Sequence, residues 1–421
     1  ILCQCMMALG LNGVATKIPL SPRALDKFMN KPKRQSTRLV HAGNHPERHL
    51  GVMNTPTYRT STVLFPTVAS MKDGSKKRFD TFYYGRYGTP TTMALEEAVA
   101  DLEGGYRSVS VSSGLSAIVS SLLSFLKCGD HLLMVDAAYD PTRNLCKGFL
   151  AKYGIETTFY DPLVGKKIEN LISDRTKVIF TESPCSQTFE IQDIPAIAQV
   201  AHQHNIKVIM DNTWSAGYFF KPFDHGVDIS IQAATKYISG HADVMIGMVT
   251  TKTSQDWEIV KRTSSYLGYC VGGDDAYLTS RGIRTLEVRL ERHQDNAIRL
   301  AKWFKKRPEV KAVLHPAFED CPGHEIWKRD FSGASGLFGV VLNQFEDERI
   351  SRMIDGMELF GIGFSWGAFE SLMIPTYPAK IRSIGDWDPE HPYIRIHAGQ
   401  EDPDDLITDL EQGFKRLNDK S

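Results

Sequence analysis

No run of apolar residues in this 421-residue chain reaches the roughly 18 that a membrane-spanning helix needs. A basic excess is missing too. Lys and Arg total 49 against 50 Asp and Glu, a net charge of -1, so neither nucleic acid nor an anionic membrane is an expected partner. No C-x-x-C pair occurs among the seven cysteines, Cys3, Cys5, Cys128, Cys146, Cys185, Cys270 and Cys321, which argues against a zinc ribbon or a thioredoxin-like motif, and no metal site is expected. Their number is odd and their spacing fits no disulfide framework. Reduced thiols in a cytoplasmic protein are the expectation. No G-x-G-x-x-G or P-loop lysine follows a candidate strand, which excludes the common nucleotide-binding fingerprints. Internal repeats and low-complexity tracts are absent. The opening I-L-C-Q-C-M-M-A-L-G lacks a basic n-region, so it is not expected to act as a secretory signal. It also lacks an initiating Met, and Met6 or Met7 is the expected natural start.

What is present is ordinary globular composition, 42% hydrophobic and 24% charged. The length predicts two domains, or one large domain with an appendage. Residues 16–60 are rich in Pro, Lys, Arg, Asn and Thr with weak periodicity. They read as part of an N-terminal arm (1–80) that packs on a partner rather than on its own core. From about residue 91, helical periodicity alternates with short apolar runs. Strands are predicted at 108–114, 130–136, 155–160, 177–184, 207–213 and from 227, with helices of ten or more residues between most of them. This alternation predicts an α/β domain (81–280) with a largely parallel sheet covered on both faces. The pattern then changes. Residues 279–306 read as one long amphipathic helix, followed by strands at 338–342 and 393–397 in a smaller α+β domain (281–421).

The stretch V-D-I-S-I-Q-A-A-T-K-Y (227–237) puts Lys236 at the mouth of an apolar strand, among small and hydroxyl residues. A solvated lysine needs no such setting. A lysine that condenses with a carbonyl does, because it must shed its proton in a dry site. Parallel sheets bind ligands at the carboxyl ends of their strands, and three further segments put distinctive residues at or near such a site. S-V-S-V-S-S-G-L-S-A (108–117) runs from strand straight into helix, which suits a phosphate but also an ordinary glycine turn. Asp211 ends V-I-M-D; it either meets a cation or caps the next helix. Y-Y-G-R-Y-G-T-P (83–90) sets Arg86 among tyrosines, as a surface loop or as a phosphate contact. Together the four segments describe a pyridoxal-phosphate site: a helix N-terminus and an Arg for the phosphate, an Asp for the pyridinium nitrogen, a Lys for the carbonyl.

On Y-G-R-x-G-T, D-N-T-W, A-A-T-K-Y-x-x-G-H-x-D-x-M-I-G and S-R-G-x-R-T-L, the chain resembles the Cys/Met-metabolism enzymes of pyridoxal-phosphate fold type I, the cystathionine lyases and synthases. The likeness runs over roughly residues 35–418. It implies the fold type I transferase-like architecture and a role for each matching position. Lys236 is the implied Schiff-base lysine and base, and Asp211 the pyridinium partner. Gly114, Leu115 and Thr235 are implied at the phosphate. Tyr84 and Arg86 are implied to reach the site of a neighbouring subunit, which requires at least a dimer; the family is usually a homotetramer. Tyr139 is the implied ring-stacking and proton-handling tyrosine. Arg395 is implied to clamp the substrate carboxylate, where by sequence alone it would read as an exposed or paired arginine in a strand.

Two departures stand out. Ala233 replaces a serine of the common S-x-T-K, and E-S-P-C-S-Q (182–187) replaces E-T-P-S-N-P, putting Ser186 where the family has an Asn near the pyridoxal hydroxyl. Both read as marks of branch. G-F-S-W-G-A-F-E-S-L (363–372) resembles the β-lyase branch, S-W-G-G-Y-E-S-L, more than the S-L-G-G-x-E-S-L of the γ-enzymes. Ser365 and Trp366 are therefore implied at the substrate, with plain core packing as the other reading of Trp366. The β-lyase likeness implies β-elimination of L-cystathionine, with other cysteine-S-conjugates open as substrates. A γ-synthase or γ-lyase, or a regulatory pyridoxal-phosphate-binding protein with residual lyase activity, stays open as an alternative.

Overall fold

The computed structural model describes residues 33–419 apart from 386 and 389. The chain before 33, including the start discussed above, lies outside the described residues.

The larger sheet contains β1 (Arg107–Val111), β2 (His131–Val135), β3 (Glu156–Tyr160), β4 (Thr176–Glu182), β5 (Lys207–Asp211), β6 (Ile229–Gln232) and β7 (Gly247–Thr251) in the order β1-β7-β6-β5-β4-β2-β3. β3, β2, β4, β5 and β6 are mutually parallel; β7 runs antiparallel between β6 and β1. The central strands are apolar throughout because helices cover both faces; β2 and β5 bury nearly every residue. At the edge, β3 carries polar Glu156, Thr157 and Thr158 and is only partly buried. β7 was not anticipated. Its residues, G-M-V-T-T, begin with glycine and follow the lysine loop closely, so they carry little of the usual strand signal.

The helices start where their caps dictate. Thr89 and Thr92 form a reciprocal capping box ahead of helix Pro90–Glu103, with proline in its first turn and Gly104 in the left-handed conformation after its end. Ser113 Oγ accepts the Ser116 N–H at the start of helix Gly114–Phe125.

Two expectations need correction. The single helix over 279–306 is two, Gly273–Ile283 and Leu286–Phe304. A Cβ on Gly282 would lie 2.3 Å from Ile238 O, so this end of the first helix is pressed against the segment after Lys236. Arg289, one turn into the second helix, donates to Gly282 O (2.8 Å) and Tyr237 O (2.7 Å). Apolar spacing continues across the break, so periodicity alone could not show it. The second correction concerns the arm: its helix Gln35–His41 packs on the chain's own core through buried Leu39, and Arg38 pairs with Asp101 at 2.9 Å.

The smaller sheet has β8 (Val310–Leu314), β9 (Leu337–Leu342), β10 (Leu372–Thr376) and β11 (Tyr393–His397) in the order β10-β11-β9-β8, all antiparallel. Helix Leu286–Phe304 serves both cores. Leu286 and Leu290 belong to the larger one; Ala297, Leu300, Ala301 and Phe304 to the smaller.

Candidate active site

β5 and β6 are neighbours, with Asp211 opposite Ile231. The loop after β6 turns at once: Lys236 N donates to Ala233 O, and Gly240 N to Lys236 O. Lys236 thus follows the end of β6, the strand beside the one that ends in Asp211. Lys236 Nζ donates to Ser365 Oγ at 2.8 Å and stands 5.2 Å from the centroid of the Trp366 ring. Burial lowers its pKa to about 8, with Arg395 adding to the effect and Asp211 opposing it.

Asp211 is raised above the ordinary carboxylate range by burial, although two hydrogen bonds from Thr213 oppose the rise. Both of these, from the Thr213 N–H (3.0 Å) and hydroxyl (2.5 Å), go to Oδ1. The Thr213 hydroxyl also accepts from Ala233 N at 2.8 Å, linking the two strand ends. Among the described residues nothing donates to Oδ2. This carboxylate does not cap a helix: turns follow it.

Gly114 opens its helix directly against the lysine loop. A Cβ there would lie 2.6 Å from Ala233 Cβ, so only glycine allows the approach. The free N–H groups of Gly114 and Leu115 start the helix at this point, with the positive end of its dipole. Thr235 uses its hydroxyl on the backbone, donating to Ile246 O (3.1 Å) and accepting Ile246 N–H (2.9 Å).

Tyr139 caps the short helix Asp140–Asn144, and its N–H donates to Glu182 Oε2 at 2.7 Å. Burial raises its phenol pKa, helped by Glu182 and Asp211; the hydroxyl therefore keeps its proton at neutral pH. Ser186 N donates to Ala137 O, so the departed E-S-P-C-S-Q segment is tied to the Tyr139 loop. Arg395 on β11 uses one nitrogen, Nη2, to hold the carbonyls of Phe364 and Ser365, each at 3.0 Å. Its Nη1 and Nε have no acceptor among the described residues. Burial lowers its pKa to about 10, so it remains charged.

Trp366 fits the packing reading and also lies beside the lysine. It packs on the main core, with its ring 5.4 Å from that of Tyr237, and it faces the lysine ammonium. Gly367 follows at φ +90°, where a Cβ would lie 2.9 Å from Tyr237 N. Tyr84 and Arg86 are the exceptions. Tyr84 is exposed, and Arg86 donates to Ser265 O (2.7 Å) and packs over Tyr87; among the described residues no hydrogen bond or ring contact joins either to the Lys236 site within one chain.

Sequence reasoning missed Glu182 and Gly367. Glu182 ends β4 directly opposite Asp211 in register, so the strand-end rule that singled out Asp211 applied equally to it. Burial and the neighbouring Asp211 push its carboxyl well above the ordinary range. Another carboxylate, Asp136, just after β2, is matched instead. It accepts from Arg143 Nη1 (2.7 Å), Arg382 Nε (2.8 Å) and the backbone of Ser383 (3.0 Å), and Arg382 reaches on to Glu190 at 2.9 Å. Burial works against its charge, yet these bonds hold it at about 2.

A desolvated lysine, a buried carboxylate with one oxygen free, and a helix N-terminus that only glycine lets near the lysine loop fit pyridoxal phosphate. Among the described residues no cluster of three or more His, Cys, Asp or Glu could hold a metal ion, and no helix is long and apolar enough to cross a membrane.

The chain belongs to the Cys/Met metabolism PLP-dependent enzymes, whose pattern it matches over residues 36–415. It is therefore a pyridoxal-phosphate-dependent enzyme with the fold type I architecture. It is 45% identical over 383 residues to a putative cystathionine beta-lyase of Rhizobium johnstonii, covering 90% of this chain and 95% of that one. It is 44% identical to the cystathionine beta-lyase of Haemophilus influenzae, over 91% and 98% of the two chains. The crystal structure of metB from Corynebacterium glutamicum superposes with a TM-score of 0.85 at 33% identity, over 92% of this chain and 99% of that one.

Proposed function

We propose that the chain catalyses β-elimination of L-cystathionine, giving homocysteine, pyruvate and ammonia. The observation that carries this reading is the Ser365–Trp366 turn seated on Lys236. The names of the Rhizobium and Haemophilus relatives support it.

Pyridoxal phosphate, when bound, supplies an electron sink for negative charge at the substrate Cα. Gly114 and Leu115 would offer N–H groups to its phosphate, and Asp211 Oδ2 would accept a hydrogen bond from its protonated ring nitrogen. The rest falls to the chain. Arg395 has two guanidinium nitrogens left for the substrate carboxylate while its third fixes the loop. Lys236, with a pKa of about 8, is close enough to neutrality to take the Cα proton at Nζ. The Cβ–S bond breaks with its electron pair going to sulfur. The proton held at Lys236 Nζ, or that of the Tyr139 hydroxyl, completes the thiol. Hydrolysis of the released enamine gives pyruvate and ammonia.

The same reading divides the chain into an arm to residue 80, a cofactor domain over 81–280 and a smaller domain over 281–421. It makes the active assembly a homotetramer, a dimer of dimers, in which Tyr84 and Arg86 serve the neighbouring subunit. Their separation from Lys236 in one chain supports this, as do the exposed apolar side chains Val52, Met53, Leu64 and Val68 nearby in sequence. Cytoplasmic residence is supported by free Cys128, Cys146, Cys185, Cys270 and Cys321.

The test is to incubate cofactor-loaded protein with L-cystathionine and identify the keto acid. Pyruvate with homocysteine is expected. 2-Oxobutyrate with cysteine would move the chain to the γ-lyases, and no keto acid would favour a synthase or a regulatory role.

A further inference from the structure

Two histidines beneath the site have no part in the chemistry above. His293, on helix Leu286–Phe304, and His397, at the end of β11, are fully buried. Their ring centroids are 5.0 Å apart, and each ring lies against that of Tyr237, at 5.4 and 5.8 Å. Tyr237 follows Lys236 directly and supports Trp366. The pair therefore underlies the contact between lysine and tryptophan.

Hydrogen-bond accounting places the protons. His293 Nδ1 is 2.8 Å from Ala398 O. A carbonyl only accepts, so Nδ1 carries the proton and Nε2 is bare. His397 Nε2 is 3.1 Å from the Gly367 N–H, a donor, and 3.1 Å from Ala368 O, an acceptor. It can serve one of them. Neither His397 Nδ1 nor His293 Nε2 has a partner among the described residues. A proton on His397 Nε2 would leave the Gly367 N–H without this acceptor and two bare ring nitrogens in the core. A proton on Nδ1 gives Gly367 its acceptor, leaves Ala368 O without this donor, and leaves one donor and one acceptor on adjacent rings. Burial lowers His293 to about 4 and His397 well below its ordinary value, so both rings stay neutral.

We infer that His397, neutral and protonated on Nδ1, is a positioning residue: its Nε2 holds the Gly367 N–H and so sets where Ser365 and Trp366 meet Lys236. Gly367 is already pressed on the lysine backbone, with no room for a Cβ. Residues two apart on a strand share a face, so β11 presents Arg395 and His397 together. One strand thereby fixes both the carboxylate-binding side chain and the turn that meets the base. Only the kinetic consequence rests on the elimination reading.

The first test is ¹⁵N solid-state NMR of the full chain with labelled histidine, the His397 signals being assigned by their loss in His397→Gln. Protonated Nδ1 and bare Nε2 are expected; protonated Nε2 overturns the inference. The second compares His397→Leu with His397→Gln, whose amide oxygen can replace the acceptor. His397→Leu should lower kcat about 30-fold with KM within about threefold, the signature of a misplaced reacting group, and His397→Gln should recover most of it. In the cofactor-free chain, the pH midpoint for reductive methylation of Lys236, read by mass spectrometry, should rise in His397→Leu and stay near wild type in His397→Gln. Equal behaviour of the two variants, or a folded His397→Leu indistinguishable from wild type, overturns the inference. If the wild type releases no keto acid, the elimination reading falls, while the NMR signals and the Lys236 midpoint still decide the role of His397. If His397→Leu does not fold, the tautomer and the His397→Gln midpoint decide it.

Discussion

Asp136 and Asp211 stand at the carboxyl ends of two strands of one sheet, both buried, and they are treated in opposite ways. Asp136 is surrounded by Arg143, Arg382 and Ser383 and is held at about 2. Asp211 has hydrogen bonds on one oxygen only, and burial pushes it up. A carboxylate matched by the chain itself belongs to the scaffold. One left half-matched marks the place where something else must bind. Asp136 also ties residues 382–384 to the loop carrying Tyr139, so the satisfied carboxylate helps to frame the unsatisfied one.

The contrast can be broken at several points. On the proposed reading Lys236→Ala removes the base, and pyruvate release from cystathionine should fall about 10,000-fold. Arg382→Leu strips one cation from Asp136 and, among the described residues, the only one from Glu190. Removing one partner of a buried pair typically costs about 3–5 kcal/mol, to be read from urea unfolding. In the wild type, Asp136 at about 2 against its ordinary 3.8 contributes stability that is complete above the ordinary value. That contribution, about 2 kcal/mol, should disappear as pH falls from about 4 towards 2, and Arg382→Leu should shift the loss to higher pH. Asp211→Asn keeps the shape but cannot stabilise a protonated ring nitrogen; kcat should drop about 100-fold with the unfolding midpoint nearly unchanged, the reverse of Arg382→Leu. Ser365→Ala removes a single hydrogen bond to Lys236 and should lower kcat about fivefold.

How far the sequence could be read follows the same divide. Lys236 and Asp211 were legible because strand ends have a known use and because these residue types are costly there. The parallel sheet was legible because alternating periods leave few other topologies. Thr235 was legible as a neighbour of the site, yet its hydroxyl bonds to the Ile246 backbone, which no spacing reveals. The break between Ile283 and Leu286 was invisible because the apolar spacing runs through it. Glu182 could have been found by the rule already in use. His397 could not: its proposed role lies in a hydrogen bond from the Gly367 N–H and in an unpartnered nitrogen, neither of which leaves a mark in Y-I-R-I-H.

The helix Leu286–Phe304, with its first turns in one core and its last in the other, also bears on how the chain comes apart. A rigid rod shared by two cores gives each a stake in the other's integrity. Loss of packing around Phe304 exposes the same helix that secures Leu286. Cooperativity should then extend beyond either sheet: a single melting transition is expected where a flexible linker at the same place would have allowed two.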